Sequence, residues 1–388
     1  MIPYGRQDIS DQDIAAVVAV LRSDFLTQGP AVPRFEGAVA QRVGARHAVA
    51  VNSATSALHV ACMGLGLGPG DVLWTTPNTF VASANCARYC GADVDFVDID
   101  PATWNMSVAA LEHKLERAAR GGKLPKIVVP VHFSGAPTQQ EPIWQLAQKY
   151  GFKVLEDASH SVGARYGAEA VGSGRYAHVT VFSFHPVKII TTAEGGMALC
   201  NDADVARRMA MLRTHGITRE ASEMEQAPLG PWYYEQITLG YNYRMTDLHA
   251  ALGISQLDRI DDFIERRNVL ARRYDAALAN LPIQRPFVRA EDRSAFHLYV
   301  IRLPQRAEGK HRRIFEALRA RGVGVNLHYI PVHLQPYYRR LGFKPGDFPE
   351  AEAYGRQAIT LPLYAALSER DQDRVVHELT AVLREELQ

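Results

Sequence analysis

A single lysine, Lys188, lies within a stretch that is otherwise largely apolar, VTVFSFHPVKIITTAEGGMALC, from Val179 to Cys200. Burying an ammonium group is costly, and burial lowers the pKa of a lysine, so that part of it is a free amine at neutral pH. A free amine attacks carbonyl carbons and forms a Schiff base. Two roles are open at this point: Lys188 is such an amine, or its side chain reaches the surface or caps the end of a strand.

The cofactor most commonly held by a lysine in this way is pyridoxal phosphate (PLP). It would require an anion site, a carboxylate for its ring nitrogen and a flat apolar side chain. The stretch VNSATSAL follows the strand-like AVAV and begins a helix, so the backbone N–H groups of Thr55 and Ser56 would favour a phosphate. Capping of that helix by Ser53 or Thr55 explains the same residues. Ser183, five residues before Lys188, offers a further hydroxyl.

A carboxylate follows another strand-like segment, FKVLED, which ends at Glu156 and Asp157. Open α/β sheets bind ligands at the carboxyl ends of their strands, so Asp157 could hold a pyridine nitrogen protonated and make the ring an electron sink. N-capping of the next segment is an equally good role for Asp157. Phe80 also follows a strand-like segment, and it either stacks on such a ring or packs in the core.

Short β-branched segments alternate with helical patterns through the first part of the chain. This alternation predicts the α/β class, with a mostly parallel sheet in a large domain over residues 1–250. The strand-like segments are AVAV, DVLWTT, VDFVDI, KIVVPVHF, FKVLED and VTVFSF. The pattern then changes to that of a small α+β domain over residues 251–388. This part has a long charged helix, the strand-like HLYVIRL and VNLHYI, and a final helix that opens at SERD.

Composition argues against several classes of protein. The chain has 388 residues, with 43 Lys and Arg against 42 Asp and Glu, a balance that argues against binding nucleic acid through bulk charge. No apolar run reaches the roughly 18–20 residues of a membrane span, and the N-terminus has no apolar signal core, so we expect a cytoplasmic protein without a membrane partner. The glycine-rich GLGLGPGD precedes a strand, whereas a dinucleotide-binding loop follows one.

Metal binding is also not expected. The four cysteines form no CxxC pair, and no HExxH motif occurs. His328 and His333 in HYIPVH are not accompanied by a carboxylate or cysteine ligand set. We therefore expect small buried thiols and no metal.

Five motifs, in this order, resemble the DegT/DnrJ/StrS family of sugar aminotransferases. They are NSATSALH, GPGDVLWTTPNTFVASAN, EDASH, SFHPVKIITTAEGG and LGYNYRMTDLHAALGISQL. The resemblance covers almost the whole chain and implies PLP as the cofactor. It also implies a fold-type I, aspartate aminotransferase-like homodimer with active sites at the subunit interface. Carried over by motif, Lys188 resembles the Schiff-base lysine, and Asp157 resembles the aspartate that faces the pyridine nitrogen.

The same resemblance implies the other cofactor contacts. The residues that match phosphate-binding positions are Thr55, Ser56 and Ser183. Phe80 matches the aromatic residue that stacks on the ring. His160 falls near the ring hydroxyl, where many relatives carry Gln, and this departure could alter the tuning of that hydroxyl. Asn242 in GYNYRM matches an asparagine that reaches the phosphate from the partner subunit.

Within the family, the motifs most resemble the subgroup of pseudaminic acid biosynthesis. This implies that L-glutamate donates an amino group to carbon 4 of a UDP-4-keto-6-deoxy-N-acetyl-hexosamine. The residues implied to line the nucleotide-sugar pocket are Tyr4, Thr27, Arg244, Asn326, His328 and Tyr329. Four alternatives stay open: a different keto sugar, a dTDP or GDP carrier, another carbon, or a non-catalytic regulatory paralogue that binds the cofactor. The family's dehydratases use His in place of the lysine, so Lys188 argues against them.

Overall fold

The computed structural model of the chain describes residues 1–387, which form helices packed around one seven-stranded sheet, together with three two-stranded sheets. The α-helices in this range are α1 (Asp11–Leu21), α2 (Ala31–Val43), α3 (Ala54–Gly64), α4 (Ala82–Tyr89), α5 (Val108–Gly121), α6 (Gln140–Tyr150), α7 (Ala203–Leu212), α8 (Asp247–Asp258), α9 (Ile260–Ala277), α10 (His311–Ala320), α11 (Pro336–Arg339), α12 (Pro349–Gln357) and α13 (Glu369–Leu387).

The strands in the same range are β1 (His47–Val51), β2 (Val72–Thr75), β3 (Asp93–Phe96), β4 (Ile127–Val129), β5 (Lys153–Asp157), β6 (Arg165–Tyr166), β7 (Glu169–Ala170), β8 (Val179–Ser183), β9 (Gly196–Cys200), β10 (Ile217–Thr218), β11 (Glu235–Gln236), β12 (Tyr299–Arg302) and β13 (Ala358–Leu361). The large sheet has the order β1-β9-β8-β5-β4-β2-β3. Its pairings from β8 to β3 are parallel, and β9 is antiparallel to both of its neighbours. The predicted mostly parallel sheet is therefore confirmed.

Helices cover both faces of the large sheet, which explains why its central strands are buried throughout. On one face, α3, α4 and α7 pack against alternate residues such as Leu73 and Val181. On the other face, α2 and α8 cover the β8–β9–β1 side, and α5 and α6 cover the β2–β4–β5 side. Because successive strand residues point to opposite faces, Trp74 joins the second layer while Leu73 joins the first.

The C-terminal part has its own core, built from β12, β13, α10, α13 and the end of α9. Val375, Leu379, Val382 and Leu383 form the buried face of the final helix, which the sequence predicted. The predicted strand VNLHYI is wrong: within it, only Asn326 makes an isolated bridge, to Thr360. The Asn326 side chain accepts a hydrogen bond from the Leu327 N–H, so a local contact uses a donor that a ladder would need.

Two other differences have local causes. The segment KIVVPVHF is a strand only over β4, which ends before Pro130, a residue with no N–H for a ladder. The long charged helix is divided at Arg259 into α8 and α9. The helix α8 runs through residue 250 and packs on α2. The domain boundary at residues 250–251 stays a prediction.

Cys62, Cys86 and Cys200 are buried free thiols, and Cys90 is a half-buried one. Within residues 1–387 no helix combines the length and apolarity that a membrane span requires.

Candidate active site

The carboxyl ends of β2, β4, β5 and β8 lie at one edge of the large sheet, and a cavity of about 310 Å³ opens there. The strand β1 runs parallel to β8, because each of the two is antiparallel to β9, so the N-terminus of α3 reaches the same edge. The opposite wall comes from residues near the N-terminus and from the C-terminal part of the chain. The cavity therefore lies where several short loops converge, at the ligand-binding edge of an α/β sheet.

Lys188 reaches this cavity from the loop between β8 and β9. Hydrogen bonds hold that loop in place: the Thr192 N–H donates to the Phe184 carbonyl at 2.9 Å, and the Thr191 hydroxyl donates to the same carbonyl at 3.1 Å. Ala193 has a positive φ of 65°, and the Thr191 hydroxyl accepts its N–H at 2.9 Å. The two threonines of TTAEGG thus fix the turn that positions the lysine.

Burial lowers the pKa of the Lys188 ammonium to about 8, although the Asp157 carboxylate opposes this shift. The side chain is only partly enclosed, and it lines the cavity. At pH 7 about a tenth of this group is therefore a neutral amine, which is the form that attacks carbonyl carbons. This agrees with the first of the two roles open from the sequence.

Asp157 ends β5 and is 5% exposed, with both of its carboxylate oxygens engaged. Oδ1 accepts a hydrogen bond from the Ser159 N–H at 3.1 Å, and Oδ2 accepts one from the Ser83 hydroxyl at 2.5 Å. The backbone is fixed as well, since the Asp157 N–H donates to the Pro130 carbonyl and its carbonyl accepts from the His132 N–H. The carboxylate therefore has a defined orientation at the cavity wall.

The N-terminus of α3, predicted as an anion site, lies at the cavity in an arrangement that differs in one respect from the prediction. Ser53 is the N-cap, and its hydroxyl accepts the Ser56 N–H at 3.1 Å. The Ser56 hydroxyl donates to the Asn52 side chain at 2.7 Å. The predicted N–H donor at Ser56 is thus already used by the cap. The first N–H groups of a helix have no intrahelical acceptor, which leaves those of Ala54 and Thr55 to face an anion.

Close packing explains why α3 lies so near the cavity. A Cβ atom added to Gly196 would lie 2.4 Å from the Ala54 nitrogen and 2.5 Å from the Ser53 carbonyl carbon. Only glycine allows the backbone of β9 to touch the first turn of α3 in this way. The second glycine of TTAEGG thus positions the helix N-terminus.

Three histidines and two tyrosines form the far side of the cavity. The Tyr329 hydroxyl lies 3.2 Å from Nε2 of His160, and the rings of His160 and His297 have centroids 4.4 Å apart. Burial lowers the pKa of the His328 imidazole to about 3, and it holds the pKa values of His160 and His297 well below the ordinary value. These imidazoles are neutral at pH 7. Tyr4 packs against His328 with ring centroids 5.3 Å apart.

Phe80 is 56% exposed, which a core aromatic would not be. It follows β2, lines the cavity and lies near the Tyr329 ring, with centroids 6.2 Å apart. An apolar ring left open beside a cavity is a suitable surface for stacking.

Nine of the predicted site residues line this one cavity: Tyr4, Thr55, Phe80, Asp157, His160, Ser183, Lys188, His328 and Tyr329. Ser56 follows Thr55 in the sequence and does not itself line the cavity. Asn326 lies behind His328, with its side-chain nitrogen 3.4 Å from His328 Nε2. The remaining three predicted residues, Thr27, Asn242 and Arg244, do not line it in this single chain. They occur together on neighbouring bridges, Thr27 with Thr246, Asn242 with Thr214 and Arg244 with Val51 at the end of β1.

Six polar residues at or beside the site were missed from the sequence: Thr79, Ser83, Ser159, His185, Glu194 and His297. Thr79 and Ser83 are four residues apart, the spacing of one helix face, and this signal was available in TFVAS. His297 precedes the strand β12 in HLYVIRL, and nothing local distinguishes it from a buried core histidine.

The residues present fit PLP. A primary amine, a carboxylate, free helix N–H groups with the Ser183 hydroxyl, and an open aromatic ring face one cavity. They match the aldehyde, ring nitrogen, phosphate and ring of the cofactor in turn. In addition, Nδ1 of His160 is buried and has no hydrogen-bond partner among residues 1–387. A buried nitrogen without a partner indicates a polar group that belongs beside it, such as the ring hydroxyl.

Comparison with known proteins supports this interpretation. The model of the DegT/DnrJ/EryC1/StrS aminotransferase family matches residues 7–380. The chain is 39% identical over 387 residues to the spore coat polysaccharide biosynthesis protein SpsC of Bacillus subtilis (strain 168), with 99% of this chain and 97% of SpsC covered.

Solved structures are similar over nearly the whole length. Helicobacter pylori PseC, an aminotransferase involved in the biosynthesis of pseudoaminic acid, has a TM-score of 0.91 at 30% identity, with 99% of both chains covered. The PMP-form of Spr1654 from Streptococcus pneumoniae has a TM-score of 0.91 at 30% identity, and its PLP-form has 0.89 at 29%, each with 100% of both chains covered.

Proposed function

This chain belongs to the DegT/DnrJ/EryC1/StrS aminotransferase family, and we propose that it is a PLP-dependent enzyme that aminates a nucleotide-linked keto sugar. The amino group comes from L-glutamate, which leaves as 2-oxoglutarate, and replaces the keto oxygen at carbon 4 of a UDP-4-keto-6-deoxy-N-acetyl-hexosamine. The observation that carries the proposal is the convergence of the Lys188 amine and the Asp157 carboxylate on one cavity beside the N-terminus of α3.

When bound, PLP supplies a ring that accepts the electron pair left behind when a proton leaves the carbon next to the transferred nitrogen. Lys188 would hold the cofactor through its Nζ, and the freed amine would take the proton from the carbon on one side of the transferred nitrogen and return it to the carbon on the other side. Asp157 keeps the ring nitrogen protonated through its fixed carboxylate. The free N–H groups of Ala54 and Thr55 bind the phosphate together with the Ser183 hydroxyl, while Ser56 holds this first turn in place through its hydrogen bond to the Ser53 cap.

The other residues orient the ring and the sugar. Phe80 covers one face of the ring, and His160 donates to or accepts from the ring hydroxyl through Nδ1. The residues that bind the nucleotide sugar are Tyr4, Thr27, Arg244, Asn326, His328 and Tyr329. Of these, Tyr4, His328 and Tyr329 line the cavity, and Asn326 lies behind His328.

A homodimer completes the site in this proposal. The segment from Leu229 to Leu239 exposes large apolar side chains, with Leu229 75%, Trp232 74% and Leu239 72% exposed. Exposed apolar surface of this kind suits a protein interface. The partner subunit's Asn242 then reaches the phosphate, which explains why Asn242 does not line the cavity of its own chain. The dimer acts in the cytoplasm.

Two similar proteins bear on which nucleotide sugar is the substrate. PseC is involved in the biosynthesis of pseudoaminic acid, and this likeness supports a substrate from that biosynthesis. SpsC, at higher identity, is a spore coat polysaccharide biosynthesis protein, and this supports the second candidate, a different nucleotide-linked keto sugar. A non-catalytic paralogue would not require the amine and the carboxylate in one cavity.

The chemistry is tested by replacing Lys188. Lys188→Ala removes the amine, and Lys188→Arg keeps a positive charge but cannot supply a free amine at neutral pH. We expect both variants to lose amino transfer by roughly 10²–10⁴-fold or more, because a positioned proton carrier contributes about that much. Near-normal turnover by either variant, measured as 2-oxoglutarate formed from glutamate, would overturn the assignment.

The substrate is tested with a panel of UDP-, dTDP- and GDP-linked keto sugars and glutamate. Product mass identifies the aminated sugar, and NMR identifies the carbon and its configuration. Turnover of a UDP-4-keto-6-deoxy-N-acetyl-hexosamine well above the others is the expected result. Preference for another carrier would replace the substrate and leave the reaction type unchanged.

A further inference from the structure

Ser83 is a buried residue in the first turn of α4 that touches the catalytic carboxylate. It is 0% exposed, and its hydroxyl lies 2.5 Å from Oδ2 of Asp157, a residue 74 positions away in the chain. The hydroxyl of Thr79, 2% exposed, lies 2.7 Å from the Ser83 hydroxyl. Thr79, Ser83 and Asp157 therefore form a chain of two hydroxyls that ends on the carboxylate.

The protons available on each group determine which group donates in each of these two hydrogen bonds. An ionised carboxylate can only accept, so the single proton of the Ser83 hydroxyl points to Asp157. The Thr79 hydroxyl must then donate to Ser83, because Ser83 has no second proton to give. Each hydrogen bond polarises the next, so both hydroxyl dipoles favour a negative charge on Asp157. A protonated Asp157 would reverse or break this order.

The hydroxyl chain also fixes how the carboxylate is turned. Oδ1 is held by the Ser159 N–H and Oδ2 by Ser83, so rotation about the carboxylate bond would break both hydrogen bonds. Each oxygen keeps a free lone pair for a further partner in the cavity. Main-chain donation from Ser159 survives any change of side chain at that position. The Ser83 hydrogen bond is the part that a side-chain substitution can remove.

We infer that Ser83 is a positioning residue that, with Thr79 behind it, donates a hydrogen bond to the negatively charged Asp157 carboxylate and aims it at the pyridine nitrogen of bound PLP. The inference rests on the proposed function, since it concerns how that carboxylate serves the cofactor. Without the Ser83 hydroxyl, Asp157 would compete more strongly for the proton that it shares with the ring nitrogen. The ring would then be protonated less of the time and would accept electrons less well.

The test compares four proteins loaded with PLP labelled with ¹⁵N at the ring nitrogen. Ser83→Ala removes the hydroxyl and Ser83→Thr keeps it. Ser161→Ala is the matched control, because Ser161 is also 0% exposed and its hydroxyl donates to the His132 carbonyl rather than to Asp157. The ¹⁵N chemical shift reports ring protonation directly. The rate constant for conversion by glutamate, its KM and the unfolding midpoint are measured alongside.

In Ser83→Ala we expect the ¹⁵N signal to move from the wild-type position toward that of an unprotonated pyridine. The glutamate rate constant should fall roughly ten- to a hundred-fold, the loss expected for a hydrogen bond to a charged group, with little change in KM. Ser83→Thr and Ser161→Ala should keep the wild-type signal. An unmoved signal in folded, PLP-bound Ser83→Ala would overturn the inference.

A second variant covers the case in which Ser83→Ala does not fold. Thr79→Val removes the donor behind Ser83 and should move the ¹⁵N signal in the same direction by a smaller amount, and no movement contradicts the inference. Measurements on the wild-type protein distinguish failure of the proposed function from failure of the inference about Ser83. If it neither binds PLP nor responds to glutamate, the proposed function and this inference both fail. If it does both while the Ser83 and Thr79 variants match it, only this inference fails.

Discussion

Lys188 and Asp157 line the same cavity, and each alters what the other can do. Burial lowers the pKa of Lys188 to about 8, and the negative charge of Asp157 limits that shift. A shift of one pKa unit corresponds to about 1.4 kcal/mol between the two protonation states, so the balance between these opposing effects determines how much free amine exists at neutral pH.

The first prediction concerns the pH dependence of covalent PLP attachment to the protein freed of cofactor. Only the neutral amine attacks an aldehyde. The rate should therefore rise about tenfold per pH unit below the pKa of Lys188 and flatten above about 8. Borohydride trapping followed by mass spectrometry measures the attached fraction at each pH.

The Asp157→Asn variant tests the direction in which Asp157 shifts the pKa of Lys188. Because the Asp157 charge raises the pKa of Lys188, its removal should move the midpoint to lower pH. Lys188→Ala should show no attachment at this site. A wild-type midpoint at the ordinary lysine value of 10.5 would show that the amine is not desolvated as the structure indicates.

The contact between α3 and β9 fixes the position of the helix N-terminus that is proposed to bind the phosphate. Ser53 caps α3 and uses the Ser56 N–H, while Gly196 lets β9 approach the backbone at Ser53 and Ala54. The helix N-terminus carries a partial positive charge that weakens within one turn. Its usefulness for a phosphate therefore depends on where the first turn lies.

The second prediction is that Gly196→Ala displaces this turn. A Cβ atom there meets backbone atoms at 2.4–2.5 Å, which cannot rotate away. Overpacking of this kind costs about 1–3 kcal/mol in the free energy of unfolding. The affinity for PLP should fall as well, because the amides move away from the phosphate. Urea unfolding and a PLP titration measure the two effects.

Gly37→Ala is the matched control for that substitution. Gly37 lies in α2, and a Cβ atom there meets nothing within 4 Å. The change should stabilise the protein by about 0.4–1 kcal/mol and leave PLP affinity unchanged. Equal PLP affinity in Gly196→Ala and the wild type would contradict the assignment of α3 as the phosphate site.

On the scale of the whole molecule, the cavity belongs to no single part of the chain. Asp157 and Ser183 come from the sheet edge, Tyr4 from near the N-terminus, and His297 and His328 from the C-terminal part. The bridge between Ile2 and Val323 ties the N-terminus to that part. Asn242 stays outside the cavity of its own chain, as expected if it acts across a dimer.

The third prediction tests that dimer by complementation. The 43.0 kDa chain should sediment at about twice its mass. Lys188→Ala and Asn242→Ala dimers should each be impaired. If the partner subunit's Asn242 serves the site, subunit exchange in an equal mixture should restore about a quarter of the wild-type sites, because half of the dimers then carry one intact site. No recovery after demonstrated exchange would place Asn242 in its own chain's site or outside it.

The α/β class and the mostly parallel sheet were predicted from the sequence and are confirmed by the fold, and the sequence also singled out Lys188, Asp157 and the N-terminus of α3, which the structure brings to one cavity. Each of these follows from residue type and from patterns a few residues long, such as alternation, capping and an amine among apolar neighbours. Ser53 and Thr55 were both candidates for the cap of α3. Ser53 is the residue that caps it, and its hydroxyl therefore accepts the Ser56 N–H.

Contacts between residues that are far apart in the sequence were found only in the tertiary structure. The hydrogen bond from Ser83 to Asp157 joins residues 74 positions apart, and the contact between His160 and His297 joins the sheet edge to the C-terminal part. The pairing of β12 with β13 and the approach of Gly196 to α3 are of the same kind. Such contacts depend on the order of strands and on the packing of whole elements, and no local pattern specifies either of these.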